Sequence, residues 1–200
     1  MKFEVVVKRM PIRKSTFFSG GYFHVYNRGV NRNQIFFSDE DYSYCLSLLK
    51  KYAETYCITI IAYCLMPNHF HFILRQNSDK SISQFIGVVF NAYVQSVNKK
   101  YNRIGTLFEG RFKNTRIDNE SYILQLCRYL HLNPVKARIV DAPDKWPYSD
   151  YNDWIAKRSL IQFDFNFILS YFKDPNDYRK YVTEYNTSEE ERDIKNFLLE

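Results

Sequence analysis

The residues best suited to chemistry are His69-Phe70-His71. On an extended strand alternate side chains share a face, so both imidazoles point one way and Phe70 the other. Two imidazoles one step apart on a rigid strand form a ready bidentate site for a divalent metal. The same pair also suits a half-exposed strand with two surface histidines, and taken alone that is the plainer reading. A second group precedes Asn133-Pro134. At about 100° per residue, Tyr122, Leu126, Tyr129 and Asn133 form one helical stripe. Tyr129 and Asn133 can then face a common site, with the Asn133 amide oxygen as a third ligand. Alternatively the tyrosines are core aromatics and Asn133 a C-terminal cap. Taken together, the four polar groups have a chemical meaning. A divalent metal held by N and O ligands polarises a phosphodiester oxygen, and a phenol of pKa about 10 then becomes a usable nucleophile. Attack leaves a phosphotyrosine and a free 3′-hydroxyl. That linkage keeps the energy of the phosphodiester, so a second hydroxyl can reverse the step without ATP, which is strand transfer rather than hydrolysis.

These side chains need elements to hold them. Tyr22 to Asn27 is rich in β-formers and closes on Arg28-Gly29, a strand. Ser38 with Asp41 is a capping box opening a helix over roughly 39–56. Ile58 to Met66 is a β-branched apolar strand, Pro67-Asn68 a turn, and His69 to Gln76 an antiparallel third strand. Ser81 with Gln84 caps a helix through about Lys100. Leu107 to Ile117 is read as a fourth strand, and Asp118 or Asn119 as the cap of a helix reaching Leu132 that Asn133-Pro134 ends. Strand, helix, strand, strand, helix, strand is the ferredoxin-like α+β order, βαββαβ with an antiparallel sheet. One extra helix follows it, then a helical C-terminal extension. The organisation expected is a basic arm over 1–20 (Lys8, Arg9, Arg13, Lys14), a body over 21–140, and an extension over 141–200 packed on it through Trp146, Tyr148, Tyr151 and Trp154.

Composition narrows the class. Of 200 residues, 46% are hydrophobic and 25% charged, with 6 Gly and 6 Pro, which excludes collagen-like and low-complexity chains. The longest mostly apolar run, Cys57 to Met66, is too short to span a bilayer, and the N-terminus lacks a signal-peptide core, so a cytoplasmic protein is expected. Cys45, Cys57, Cys64 and Cys127 have no zinc-ligand rhythm and read as reduced, buried, small hydrophobes. Charge is unevenly divided: residues 1–140 carry net +11 and residues 141–200 net −5. With 18% aromatics, a basic body suits a nucleic acid, since cations neutralise phosphates and rings stack on unpaired bases. The alternative is aromatics in the core and cations on a solvated face.

Five ordered blocks sharpen this: Tyr22-Phe23-His24-Val25-Tyr26-Asn27-Arg28-Gly29, Cys64 through His71, Gly105 through Phe112, Arg128 through Val135, and Trp146-Pro147-Tyr148-Ser149-Asp150-Tyr151. His69-Phe70-His71 resembles the HUH motif of single-strand DNA nucleases. The wider text resembles the single-tyrosine transposases of the insertion-sequence type, especially their REP-associated branch, over about residues 20–152. The resemblance implies that Tyr129 is the nucleophile, that His69 and His71 are metal ligands, and that Asn133 is the third, holding Mg2+ or Mn2+. Compact members usually carry Gln at that third position, one methylene longer than Asn133. Tyr122 stands as the fallback nucleophile. Arg28, Arg32, Arg111, Lys113 and Arg128 lie in or beside the blocks and are candidates for DNA phosphates. His24 and His131 read as structural. The implied partner is a DNA hairpin with a flanking single strand, bound by a monomer or homodimer and without a membrane. The implied activity is a metal-dependent single-strand endonuclease and strand transferase. A rolling-circle initiator or relaxase shares the histidine pair, and a non-catalytic ferredoxin-like nucleic-acid binder shares the sheet.

Overall fold

The computed structural model describes residues 16–155, 167 and 170–184. The basic residues Lys8, Arg9, Arg13 and Lys14 of the expected arm, and most of the helical pattern expected after 155, lie outside the described residues.

The strands are β1 (Tyr22–Arg28), β2 (Ile58–Met66), β3 (His69–Gln76) and β4 (Lys113–Ile117). They pair in the order β2-β3-β1-β4, every neighbour antiparallel. Helices α1 (Asp39–Thr55) and α2 (Ile82–Lys100) intervene, completing the ferredoxin-like arrangement. Both helices open with the expected reciprocal caps, Ser38 with Asp41 and Ser81 with Gln84. They pack on one face of the sheet, where Phe70, Phe72, Phe85, Val89, Phe90 and Tyr93 are buried. Helix α3 (Glu120–Lys136) crosses the other face over β2 and β3. Among the described residues the short α4 (Tyr151–Trp154) and α5 (Pro175–Thr183) follow. Among the described residues no helix is long and apolar enough to cross a membrane.

Three local expectations are corrected. The fourth strand begins only at Lys113. Leu107 and Phe108 are both buried, and a regular strand cannot turn adjacent side chains into one core. Residues 107–112 therefore form a loop, tied to β1 by a bridge between Gly29 and Phe108 and by the Glu109 N–H donating to the Arg28 carbonyl at 3.0 Å. Pro134 does not end α3 but lies inside it. Its missing N–H removes one bond of the ladder. The Ala137 N–H on the Asn133 carbonyl and the Ile139 N–H on the Pro134 carbonyl, both 2.9 Å, close the turn beyond it. Burial of Asn133 and Pro134 outweighs the local penalty. Of the four cysteines, all unpaired, Cys57 is exposed rather than buried. It occupies a left-handed turn between α1 and β2, at φ 52°.

The segment after α3 explains the Trp146–Tyr151 block. It runs along the outer edge of β2, with the Leu65 N–H donating to the Tyr148 carbonyl (2.9 Å) and Ser149 bridging Cys64. An edge that would otherwise present unpaired backbone groups is thereby covered. The Tyr148 ring stacks on Tyr42 at 3.7 Å, and the Trp146 indole N–H donates to the Leu65 carbonyl at 3.2 Å.

Asp150, fully buried, is the hub of this region. Its Oδ1 accepts from the Tyr63 backbone N–H (2.7 Å) and lies 2.9 Å from His131 Nε2 on α3. Its Oδ2 accepts from the Trp154 indole at 2.9 Å. The other ring nitrogen of His131 meets the Tyr178 hydroxyl of α5 at 2.5 Å. Removing one partner of a buried polar network strands the others, at roughly 3–5 kcal/mol. Asp150→Ala should lower unfolding free energy by that order in urea titration, whereas Lys145→Ala, in an exposed pair with Asp141, should change it little.

Candidate active site on the α3 face of the sheet

The registers place Tyr26 opposite His71 and Arg28 opposite His69. Tyr22, His24, Tyr26 and Arg28 of β1 therefore share a face with the two histidines. Phe70 points to the other side and stacks on Phe90 at 4.2 Å. The alternation expected from the sequence is what aims both imidazoles at α3. Tyr129 stands over this face, its ring perpendicular to His71 with centroids 6.0 Å apart. Asn133 follows one turn later on the same helix and is buried. Tyr122 lies two turns toward the helix start.

Each histidine is held by a neighbour. His69 Nδ1 lies 2.6 Å from Asn68 Oδ1, while the Asn68 amide N–H donates to the Arg32 carbonyl at 3.1 Å. His71 Nδ1 lies 2.9 Å from His24 Nε2, with the two rings only 8° from parallel. Among the described residues, the buried His71 Nε2 and the buried Asn133 amide nitrogen have no hydrogen-bond partner. Among the described residues no three His, Cys, Asp or Glu side chains are grouped so that they could hold a metal ion. A cation here would thus have two imidazole nitrogens and an amide oxygen from the protein, and would draw further oxygen ligands from water or phosphate. That donor set, with a buried imidazole nitrogen left unpartnered, fits a divalent metal that also binds phosphate.

Burial keeps all three imidazoles neutral, the form that ligates. It lowers His24 from 6.5 to about 3 and, with the positive Arg28 nearby, His69 to about 4. Burial, then His24 and His69, hold His71 well below its ordinary value.

The other candidates divide. Arg28 is beside His69, its guanidinium paired with Glu109 at 3.0 Å. Lys113 is exposed and opposite Tyr26, on the site's side of the sheet. Arg32 is exposed, in a loop where Asn31 and Arg32 both take positive φ (54° and 61°). Gly29 opens that loop, and a Cβ there would stand 2.1 Å from the Asn33 carbonyl oxygen. Arg111 is exposed but lines a cleft beside α2, on the far side of the sheet. Arg128 is brought neither to the site nor to the open surface. It is 5% exposed, donates to the Tyr181 carbonyl at 3.2 Å and lies 4.2 Å over the Tyr181 ring. Three residues emerge only in three dimensions: His24, Asn68, and Lys136, whose ammonium lies 5.2 Å from the Tyr129 ring centroid. Lys136 continues the Tyr122–Asn133 stripe; the expected stop at Pro134 hid it.

A ferredoxin-like sheet with a His-x-His strand beneath a helix-borne tyrosine defines the architecture of a single-tyrosine transposase. The family described as "Transposase IS200 like" matches residues 12–133, and this chain belongs to it. A REP-associated tyrosine transposase of Haemophilus influenzae is 24% identical over 117 residues, 53% of this chain and 66% of that protein's length. The structure of a REP-associated tyrosine transposase bound to a REP hairpin superposes with a TM-score of 0.64 at 19% identity, covering 78% of this chain and 96% of that one.

An unfolded histidine takes up a proton as pH falls below about 6.5, while His24 and His69 in the fold stay neutral to about 3 and 4. Stability is therefore full above pH 6.5 and lost as pH falls below it, on the order of 1–2 kcal/mol per such histidine at pH 5. Thermal unfolding at pH 5 should begin well below that at pH 7.5; equal midpoints would contradict neutral burial.

Proposed function

We propose that this chain is a metal-dependent single-strand DNA endonuclease and strand transferase, with Tyr129 as nucleophile and a 5′-phosphotyrosine intermediate. The observation carrying this reading is the Tyr129 ring against His71, whose buried Nε2 has no hydrogen-bond partner among the described residues. His69, His71 and Asn133 would hold Mg2+ or Mn2+. When bound, the ion supplies Lewis-acid polarisation of a phosphate oxygen. The Tyr129 oxygen bonds to phosphorus and gives up its proton, the P–O3′ bond breaks, and the departing 3′-oxygen takes up a proton. Attack by another 3′-hydroxyl on the phosphotyrosine runs the same exchange in reverse and joins strands. Lys136 beside Tyr129, Arg28 beside His69 and Lys113 across the sheet supply cations for the phosphates on either side. Arg32 and Arg111 are exposed and suit more distant backbone contacts. Arg128 leaves this group, because its guanidinium is covered by Tyr181.

The substrate proposed is a DNA hairpin with a flanking single strand, the relative bound to a REP hairpin lending support through its fold. Attack by the chain's own tyrosine is favoured, and with it a monomer. Helix α3 is fastened within its own chain by His131 to Asp150 and Tyr178, and by Arg128 to Tyr181. Exchanging that helix between subunits would break these buried contacts.

A 5′-labelled and a 3′-labelled hairpin oligonucleotide, incubated with Mn2+ and resolved under denaturing conditions, test this. The 3′-labelled strand should shift onto the protein, and Tyr129→Phe should abolish the shift while Tyr122→Phe keeps it. Adduct surviving in Tyr129→Phe would reassign the nucleophile. No adduct in the unaltered protein, with binding intact, would favour the non-catalytic binder.

A further inference from the structure

Neither histidine of the His69-Phe70-His71 pair stands alone, and their partners differ in kind. Asn68 can present only an oxygen to His69 Nδ1, because its amide nitrogen is committed to the Arg32 carbonyl. His69 therefore carries its proton on Nδ1 and leaves Nε2 as a lone pair. His71 meets another imidazole, so the proton between the two rings has two possible owners. If His24 owns it, His71 must carry its own proton on Nε2. That would make the fully buried His71 Nε2 an N–H and close it to any ligand. If His71 owns it, Nε2 becomes a buried lone pair on the same side as that of His69.

The surroundings hold His24 in place for this task. It is fully buried one step along β1 from Tyr26, which is directly opposite His71. Its ring stacks on Tyr26 with centroids 4.9 Å apart and lies nearly parallel to His71 at 5.1 Å. Its position is thus fixed by sheet register and ring packing, independently of any ion.

We propose that His24 is the positioning residue of the site: it accepts the Nδ1 proton of His71 and so presents the His71 Nε2 lone pair, as Asn68 does for His69. The assignment rests on the metal-dependent reading above. Outer hydrogen-bond partners of this kind fix tautomer and ring orientation, and their loss typically costs 10–100-fold in metal affinity.

Long-range 1H–15N correlation spectra of the metal-free protein read the tautomer directly. His71 should show a protonated Nδ1 and an unprotonated Nε2, and His24 an unprotonated Nε2. The opposite tautomer for His71 would overturn the proposal. Calorimetric Mn2+ titration of three proteins adds a second readout. His24→Phe keeps a ring to stack on Tyr26 but has no acceptor, and should bind Mn2+ roughly 10–100-fold more weakly. His24→Gln offers an amide oxygen near the former Nε2 and should recover most of the loss, which a merely space-filling role would not produce. Wild-type affinity in both variants would overturn the positioning role alone. No Mn2+ binding by the wild type would overturn it together with the metal-dependent reading. If His24→Phe fails to fold, the wild-type tautomer and the Gln variant still decide.

Discussion

Two neutral, fully buried imidazoles sharing one proton on a face of the sheet are the constraint on which the rest of this molecule turns. A buried polar ring is tolerated only when its nitrogens find partners. His24 and His71 provide for each other, and only because β1 and β3 are registered so that Tyr26 meets His71 and His24 sits one pleat further on. A one-residue slip of either strand would send one histidine to the helix side among Phe70, Phe72 and Phe90 and leave its partner without a bond. Register, burial and ligand orientation are thus a single requirement. The turn Pro67-Asn68 joins it: its carbonyls accept from Gly29 and Ile35, which brings the loop holding Asn68 into line with His69.

Tyr129 reaches this face on a helix, and the C-terminal architecture holds that helix in place. Tyr26 of β1 lies on the same face, its ring 5.9 Å from His71, while α3 crosses over it and brings Tyr129 to 6.0 Å. Such a helix, attached only through its apolar side, would be free to slide by a turn. Here it is pinned on both flanks. His131 reaches Asp150 and Tyr178, and Arg128 is clasped by Tyr181, so α4 and α5 hold α3 from behind. Asp150 also binds the Tyr63 backbone of β2, so the clasp is referenced to the sheet that carries the histidines. The height of Tyr129 over His71 is thereby set by a network of bonds that never touches the site.

Much of this was legible in the sequence, and the failures have physical reasons. Alternation and helical period are short-range signals; they placed β1, α1, β2, β3 and α2 nearly to the residue and put Tyr129 and Asn133 on one stripe. The fourth strand was overextended because periodicity cannot register that Leu107 and Phe108 turn into the same core. Pro134 misled because its penalty is local while its compensation is tertiary. His24 reads as structural in the sequence, although strand alternation puts it on the face of Tyr26; what one sequence cannot give is that β1 and β3 are neighbours. Arg128 is hidden for the same reason in reverse, since its cover comes from α5, far along the chain.

The cations show how local charge and global fold divide the work. Arg128 adjoins Tyr129 in the chain, yet it projects to the back of α3 and serves as a clasp. Lys136, seven residues away, returns to the front after two helical turns and comes to the ring. Arg28 is brought to His69 by strand pairing, where its charge opposes protonation of that imidazole and is partly balanced by Glu109. Without Glu109 that guanidinium would also repel a divalent ion held by the histidines. With it, Arg28 stays near the site at reduced net charge.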